Sequence, residues 1–154
     1  MPDLLAGSTV NALDTPPTVA DFETDLFTFT ATTYGVTSTS GTYNDCGVAF
    51  VAPTTGRVCL DYACGIRNST TATTAMAPVV REGGSVGSGT TFLAASDDNG
   101  VVILPGTFES CFGGRRLLVT GLTVGATYNV RLEHRVSAGT GTLNRRSVTV
   151  SPAT

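Results

Sequence analysis

Apolar and polar side chains alternate over short stretches of this chain, and turn-forming residues separate the stretches. Such alternation puts successive side chains on opposite faces, as in half-buried β-strands. The pattern predicts eight or nine strands, within residues 21–31, 47–52, 57–66, 75–82, 90–95, 101–104, 115–120, 127–136 and 146–150. No strand alternates with a run long enough for an amphipathic helix. The sequence therefore predicts an all-β protein with a single antiparallel β-sandwich.

The clearest strand covers residues 127–136. We expect its apolar face to be buried, and that face carries Tyr128, Val130, Leu132, His134 and Val136. The opposite face is expected to be wet or in contact with a partner, and it carries Asn129, Arg131, Glu133 and Arg135. His134 is the single histidine, and a histidine on an apolar face is expected to be a hydrogen-bonded core or interface residue.

Proline and glycine mark the turns. Pro53 and Gly56 predict a tight turn between two apolar strands. Pro78 restricts its strand to a sheet edge or a bulge, because proline has no N–H to donate. The run Asp97-Asp98-Asn99-Gly100 predicts a hairpin, since Asn-Gly suits a type I′ turn.

The first 20 residues differ from the rest, with three prolines and no hydrophobic period. The Pro16-Pro17 pair forces extended backbone. We expect an extended N-terminal arm over residues 1–20 and a β-sandwich domain over residues 21–154. The arm either is a frayed terminus or docks on a partner. In the second case its partner-binding residues would be the apolar side chains Leu4, Leu5, Val10 and Leu13.

Composition narrows the function. The chain has 27 Thr, 18 Gly and nine Arg, but no Lys. β-branched threonine favours strands, and a weakly charged hydroxyl-rich surface suits packing against neighbouring subunits. The net charge of −3 argues against a nucleic-acid partner. No apolar run is long enough to cross a membrane as a helix. The start lacks a cationic leader, so we expect synthesis in the cytoplasm without a secretory signal.

No constellation of residues indicates an enzyme. Only one histidine exists, no Gly-x-Ser-x-Gly motif occurs, and the glycine-rich residues 83–87 lack the lysine of a phosphate-binding loop. We therefore expect no catalytic, cofactor-binding or metal-binding residues and no cofactor. Cys46, Cys59, Cys64 and Cys111 lack the close pairing of zinc ligands and are expected to be small buried thiols.

Two motifs resemble known β-sandwiches. Residues 47–62, with Pro53 and Gly56 at their centre, resemble the strand–turn–strand of trimeric C1q/TNF-like jelly rolls. The spacing from Leu122 to Tyr128 is similar to the tyrosine corner of fibronectin-III-like sandwiches, with Val124 in place of the usual proline. The resemblance implies a jelly roll as the preferred fold, with an immunoglobulin/fibronectin-III-like sandwich as the alternative.

A wider resemblance covers most of the chain. Residues 14–18, 52–57, 94–97 and 147–154 look like segments of small virion proteins from tailed phages that infect actinobacteria. Those proteins are capsid decoration proteins, head fibres or minor tail proteins. The resemblance implies an exterior β-sandwich that forms homotrimers and attaches through a terminal arm.

The function implied is that of a non-enzymatic structural protein of the virion. We expect a decoration protein on the capsid exterior, with its own copies and the major capsid protein as partners, and with neither nucleic acid nor membrane as a partner. The alternative is a minor tail or tail-tip protein that recognises a host-surface glycan or protein. The candidate ligand loops would then be residues 35–45 and 68–74, where Tyr34 and Tyr43 supply the aromatic side chains.

Overall fold

The computed structural model describes residues 12–154 and shows two antiparallel β-sheets packed face to face. Sheet I contains β1 (Val19–Glu23), β2 (Phe27–Phe29), β3 (Ser40–Gly41), β5 (Arg57–Asn68), β9 (Ser110–Thr120) and β11 (Gly141–Pro152). Sheet II contains β4 (Gly47–Val51), β6 (Thr74–Glu82), β7 (Thr91–Leu93), β8 (Val101–Ile103) and β10 (Thr127–Val136). The all-β class and the sandwich are therefore as predicted.

The strand order is that of a jelly roll. In sheet I, β1 and β2 pair with successive parts of β11, which is followed by β5 and then β9. In sheet II the order is β4, β10 and β6. Beyond β6 lie β7 and β8, which are arranged end to end and pair with successive parts of β6. With each of these two pairs counted as one interrupted strand and the two-residue β3 left aside, the eight strands have the jelly-roll arrangement, in which β1/β2, β11, β5 and β9 face β4, β10, β6 and β7/β8. The jelly-roll preference is confirmed over the fibronectin-III-like alternative.

The core lies between the sheets and comes from the alternating apolar positions that the sequence shows. β5 sends every second side chain inward, and these are Val58, Leu60, Tyr62, Cys64 and Ile66. Facing them, β10 contributes Tyr128, Val130, Leu132, His134 and Val136, all at most 2% exposed. The predicted inner face of residues 127–136 is confirmed.

The sequence predicts Pro78 at a sheet edge or a bulge, and it lies in β6, an inner strand of sheet II with an irregularity between Val80 and Arg81. On one side Pro78 pairs with Leu132 of β10. On the other side, β8 pairs with residues 74–76 and β7 with residues 80 and 81, which leaves Pro78 opposite the interruption between β7 and β8. Proline's lack of an N–H costs no ladder hydrogen bond at such a gap.

The run Asp97-Asp98-Asn99-Gly100 is not a hairpin turn. Residues Asp97–Asn99 form a short 3₁₀ helix, η1, which Ser96 caps by accepting a hydrogen bond from the Asn99 N–H. Gly100 has φ −96°, whereas a type I′ turn needs positive φ at both central residues. Strands β7 and β8 pair with β6 rather than with each other, so η1 bridges two halves of one interrupted strand.

Strand β11 contains a bulge that sends two consecutive arginines to opposite sides of sheet I. Asn144 pairs with Gly65 and Ser147 with Ala63, so Arg145 and Arg146 together oppose one residue of β5. Arg145 has φ 50° and is exposed, whereas Arg146 is fully buried. The extra residue of a bulge re-aims the side chains beside it, as it does here.

One end of the sandwich holds the predicted Pro53–Gly56 turn. Gly56 has φ 61° and donates its N–H to the Pro53 carbonyl. A Cβ at Gly56 would lie 2.8 Å from the Leu122 carbonyl oxygen, so glycine is required at this position. The turn between β9 and β10 lies beside it, and the Tyr128 hydroxyl accepts a hydrogen bond from the Thr123 N–H at 3.1 Å. The tyrosine-corner contact thus occurs within a jelly roll.

The end of the predicted arm contacts this same turn. The Leu13 carbonyl accepts from the Thr54 N–H at 3.0 Å, and the Asp14 carboxylate accepts from the Thr54 hydroxyl at 2.8 Å. Strand β1 begins at Val19, so the last two residues of the predicted arm segment pair with β11. Of the four proposed anchor side chains, Leu4, Leu5 and Val10 lie outside the described residues.

Candidate functional site

The outer face of sheet II is closed by a polar network. Glu133 on β10 accepts hydrogen bonds from Arg81 and Arg131, both at 3.0 Å, and its side chain is 9% exposed. Arg131 also lies 3.6 Å from Asp45. Farther along the strand, Arg135 pairs with Asp97. The expectation that the outer side of residues 127–136 is wet or covered by a partner is therefore wrong, because the chain itself covers much of it.

The glycine-rich loop, residues 83–89, supplies the rest of that cover. The buried Asn129 side chain donates to the Gly83 and Ser88 carbonyls and accepts from the Gly87 N–H, at 2.9 to 3.0 Å. Gly87 has φ 79°, and a Cβ there would lie 2.2 Å from the Arg131 guanidinium. The glycines of this loop thus let the backbone lie directly on the network, and Asn129 holds the loop in place.

The outer face of sheet I has no comparable cover within residues 12–154. Five large apolar side chains on or beside this face are more than half exposed, namely Phe22, Leu26, Phe108, Phe112 and Leu118. The centre of the sheet between them carries small residues such as Ala63, Gly114 and Ser147, which share one row of the pairing register. This face is therefore the more open of the two outer faces within the described residues.

Two adjoining cavities form a groove at one end of this face. The first, of about 150 Å³, is lined by Leu26, Gly65, Ile66, Arg67, Ser110, Phe112, Thr142, Asn144 and Arg145. The second, of about 280 Å³, is lined by Leu26, Thr28, Arg67, Ser69, Phe108, Thr140 and Thr142. Leu26, Arg67 and Thr142 belong to both cavities, so the two form one continuous site, which we call the sheet I groove.

The two arginines of the groove stack on its two phenylalanines. The Arg67 guanidinium lies 4.9 Å from the centre of the Phe108 ring, and the Arg145 guanidinium lies 5.7 Å from the centre of the Phe112 ring. Neither arginine pairs with a carboxylate within residues 12–154, whereas five of the other arginines do. No acidic side chain lines either cavity. The groove is therefore a positively charged site with apolar walls.

Backbone strain is concentrated at the same place. Within the described chain, Phe108 (φ 59°) and Arg145 (φ 50°) are the only two non-glycine residues with positive φ, and both line the groove. The Phe108 N–H donates to the Asn68 carbonyl at 3.0 Å, which holds this residue in position. Such conformations are unfavourable for residues with a Cβ and cluster at functional sites.

The floor of the groove requires a glycine. A Cβ on Gly65 would lie 2.0 Å from the Asn144 side-chain oxygen and 3.1 Å from the Phe112 ring. The Asn144 amide therefore lies across the bare Gly65 backbone, between Arg145 and Phe112. This close approach leaves the amide as a hydrogen-bonding group in the floor of the first cavity.

A buried polar cluster lies on the other side of sheet I, directly beneath the bulge. Arg146 donates to both oxygens of Asp25, at 2.8 and 2.7 Å, and to the Asn44 carbonyl at 2.7 Å. Its guanidinium lies 4.8 Å from the ring centres of Phe27 and Tyr43. The Tyr43 ring thus packs against the core and is partly buried, whereas its hydroxyl donates to the exposed Asp45 at 3.1 Å.

His134 belongs to this cluster and is a core residue, as predicted. It is 1% exposed, packs against Phe27 and Phe29, and its Nε2 donates to the Thr37 carbonyl at 3.1 Å. Burial, together with the nearby Arg146 charge, lowers the pKa of His134 to about 4. The histidine is therefore neutral at physiological pH and has no access to an external substrate.

All four cysteines are unpaired thiols, and two of them are buried. Burial raises the pKa of Cys46 and of Cys64 to about 12, so neither forms a thiolate near neutral pH. Cys59 and Cys111 are half-buried, which differs from the expectation that all four are buried. Cys59 and Cys64 point to opposite faces of β5, as their odd spacing predicts.

The acidic side chains form separate ion pairs. The acidic side chains Asp45, Asp61 and Asp97 each pair with a different arginine. Residues 12–154 bring no group of three histidine, cysteine or carboxylate side chains together in a form that would hold a metal ion. In the same residues, no helix has the length and hydrophobicity that a membrane span requires.

Sequence reasoning missed the groove. Its residues come from four separate segments, and the predicted ligand loops contributed only Ser69 to it. Arg67 and Phe112 each fit an ordinary strand pattern, and nothing in the sequence marks Phe108 or Arg145 as having positive φ. The one available signal was the Arg145-Arg146 doublet, in which an apolar-polar alternation is interrupted.

No protein-family model matches this chain, and no curated protein matches it by sequence. Among solved structures, the chain is similar to the Eiger TNF of S. frugiperda, with 13% identity, a TM-score of 0.41 and coverage of 90% of this chain and 94% of that one. It is also similar to the enzymatically active domain of tailspike protein 4 of bacteriophage CBA120, with 13% identity, a TM-score of 0.36 and coverage of 87% and 19%.

A third similar structure is the CBM22-1 xylan-binding domain from Paenibacillus barcinonensis, with 8% identity, a TM-score of 0.33 and coverage of 92% and 99%. These likenesses are too distant to carry an argument about activity. The assignment of this chain as a jelly roll rests on its own strand order.

Proposed function

We propose that the chain is a non-enzymatic structural protein of a phage virion, bound as a decoration protein to the outside of the capsid. The observation that carries the proposal is the division of the molecule into two ends. The N-terminal segment contacts one end, at Thr54, and the sheet I groove opens near the other. Because β5 runs from Arg57 to Asn68, the two ends are about 36 Å apart.

The end that the N-terminal segment contacts has the apolar surface that a shell contact needs. Val51, Val124 and Leu118 are 38 to 52% exposed around it. Leu13 lies near Gly125, since a Cβ on that glycine would be 3.5 Å from the Leu13 side chain. Attachment through this end holds the sandwich on the shell and stabilises the assembled state by mass action.

Self-association into a homotrimer is part of the proposal. The exposed Phe22 and Leu118 on the outer face of sheet I are the apolar side chains that such an interface would cover. Sedimentation equilibrium measures the stoichiometry directly. Phe22→Ser and Leu118→Ser are expected to shift a trimer towards monomer, and a wild-type chain that sediments as a monomer at high concentration contradicts this part of the proposal.

Immunogold labelling of intact virions with antibody against the purified chain tests the location. Gold distributed over the head supports decoration. Gold confined to the tail or its tip overturns decoration in favour of the alternative tail protein, and particles without gold overturn the virion role itself.

Truncation tests attachment. Deletion of residues 2–11 removes Leu4, Leu5 and Val10 but leaves the contact of Leu13 and Asp14 with Thr54 intact. We expect this variant to fold normally and to lose binding to shells that lack the protein. Normal shell binding by the truncated chain would contradict an anchoring role for the arm.

A further inference from the structure

The sheet I groove combines features that neither the fold nor the proposed virion role requires. It has two arginines with no carboxylate partner in the described chain, and two phenylalanines that are more than half exposed. Its lining is also rich in hydroxyl groups. It also holds both non-glycine residues with positive φ. These features coincide in one place on the molecule.

The charge of the groove selects for an anion. Arg67 and Arg145 both line the smaller cavity, where no acidic side chain balances them. A guanidinium presents paired N–H donors that match the two oxygens of a carboxylate. Asn144 adds an amide in the floor of the same cavity. The smaller cavity is therefore suited to a carboxylate with further polar groups beside it.

The larger cavity is suited to a sugar ring that carries such a carboxylate. Phe108 and Leu26 form apolar walls, and hydroxyl groups come from Thr28, Ser69, Thr140 and Thr142. Apolar C–H faces and a ring of hydroxyls are the two kinds of surface that a saccharide offers. Its volume of about 280 Å³ is at the small end of ligand sites, as befits one or two rings.

A peptide is the less suitable occupant. Peptides that bind sheets usually add a strand to an exposed edge, where backbone groups are unpaired. The groove lies on the face of sheet I, across β11, β5 and β9, and not along the free edge of β9. Its walls are side chains, so it provides no backbone ladder for an extended peptide.

We propose that the sheet I groove binds a carboxylate-bearing saccharide, with the carboxylate held by Arg67 and Arg145 and the adjoining ring against Phe108. The site goes beyond a decoration role. It is a property of the isolated chain, so it holds whether the protein lies on the head or on the tail.

The β11 bulge supports this assignment. Removal of Arg145 would leave Asn144 and Ser147 facing outward and Arg146 facing inward, which is an uninterrupted strand alternation. Arg145 is thus the extra residue of the bulge, it is exposed, and its φ of 50° is unfavourable. Its contacts are with the Phe112 ring and the groove.

The test uses the purified full-length chain on an array of oligosaccharides that contain galacturonate, glucuronate or sialate, beside neutral counterparts and an acidic hexapeptide. The best ligand is then titrated by calorimetry against four variants. Arg67→Ala and Arg145→Gly remove the two charges, and glycine suits the positive φ of residue 145. Phe108→Gly removes the ring. Arg57→Ala is the matched control, because it removes an exposed arginine at the far end of the same strand.

We expect carboxylated sugars to bind in preference to neutral ones, with affinity that falls as salt is raised. Arg67→Ala and Arg145→Gly are each expected to weaken binding about tenfold or more, as for a lost charge-assisted hydrogen bond. Arg57→Ala should bind as the wild type does.

Four results would overturn the proposal. They are no binding to any saccharide on the array, equal binding of neutral and carboxylated sugars, unchanged affinity in both groove-arginine variants, and binding of the acidic peptide alone. The last result would assign the groove to a protein partner. None of these results depends on where the chain lies on a virion, so the proposed decoration role is tested separately.

Discussion

The arginines on the two outer faces of the sandwich have different kinds of partner. On sheet II, Arg81 and Arg131 share the carboxylate of Glu133, and the loop of residues 83–89 lies over them. On sheet I, Arg67 and Arg145 stack on phenylalanine rings and pair with no carboxylate of residues 12–154. The same residue type thus stabilises the fold on one face and remains available to a ligand on the other.

The difference shows that a charged side chain must be judged by its partners. A partly buried arginine that loses its carboxylate becomes costly, because its charge is left without compensation. An exposed arginine over an aromatic ring keeps most of its hydration and gives up little when it is replaced. Stability should therefore depend on the arginine partners of sheet II, and ligand binding on the arginines of sheet I.

The largest expected effect comes from breaking the sheet II network. Glu133→Ala leaves Arg81 and Arg131 without their shared partner, and we expect a loss of about 3–5 kcal/mol in the free energy of unfolding. The matched control is Asp61→Ala on sheet I, whose exposed pair with Arg116 at 3.3 Å contributes about 1 kcal/mol or less. Urea denaturation measures both, and equal losses would contradict the contrast between the faces.

Low pH should reduce the stability of the fold through His134, while the groove keeps its positive charge. The pKa of His134 falls from 6.5 to about 4 on folding, so between these values the unfolded chain binds the additional proton. Stability therefore falls as pH is lowered from about 6.5 to about 4, by about 3 kcal/mol for this group. The groove arginines remain charged throughout this range.

The variant His134→Gln isolates that dependence. Glutamine keeps a donor for the Thr37 carbonyl but does not titrate. Unfolding free energies of both chains between pH 4 and pH 7 should show a shallower slope in the variant. Equal slopes would mean that His134 titrates normally in the folded chain.

A smaller effect is expected from the loop that covers sheet II. Asn129→Ala removes the side chain that bonds to Gly83, Gly87 and Ser88, and we expect a loss of about 1–3 kcal/mol. Hydrogen exchange should accelerate at the Gly87 amide. Asn144→Ala on sheet I is the matched control, and its stability is expected to change little because its amide makes no hydrogen bond with the described chain.

The smallest effect on stability should accompany a large effect on binding. Phe108→Gly relieves an unfavourable φ of 59° but loses the Arg67 contact, so the free energy of unfolding should rise by up to about 1 kcal/mol or stay unchanged. Loss of saccharide binding in the same variant would show that the strain serves the groove. A loss of several kcal/mol would instead make Phe108 a structural residue.

The strand pattern predicted the layers of the fold because alternation responds to burial. The inner face of β10 and the Pro53–Gly56 turn follow directly from side-chain period and from glycine's access to positive φ. The strand order was reached only through resemblance, since pairing between distant strands leaves no local signal. Pro78 shows the limit of this reasoning. A proline fits in this inner strand because of a gap between β7 and β8, and that gap lies 15 or more residues away in the chain.

The candidate site was less accessible to sequence reasoning. The apolar–polar alternation assigns Asn129 to a solvent-exposed face of its strand. In the structure, a loop that begins 46 residues earlier in the chain buries it. The groove depends on a bulge, on an interruption between β1 and β2, and on two backbone conformations that their residue types disfavour. Such features arise from tertiary packing, which overrides local preference.

The bulge in β11 has a consequence for how such a site can arise. A jelly roll with an uninterrupted eleventh strand and its buried Arg146 is complete without Arg145. Insertion of one codon at this point adds a surface cation, and the sheet on both sides keeps its pairing. Gain or loss of this one residue therefore changes the charge on the outer face of sheet I and leaves the buried Arg146 cluster in place, while most of the other groove residues come from separate segments.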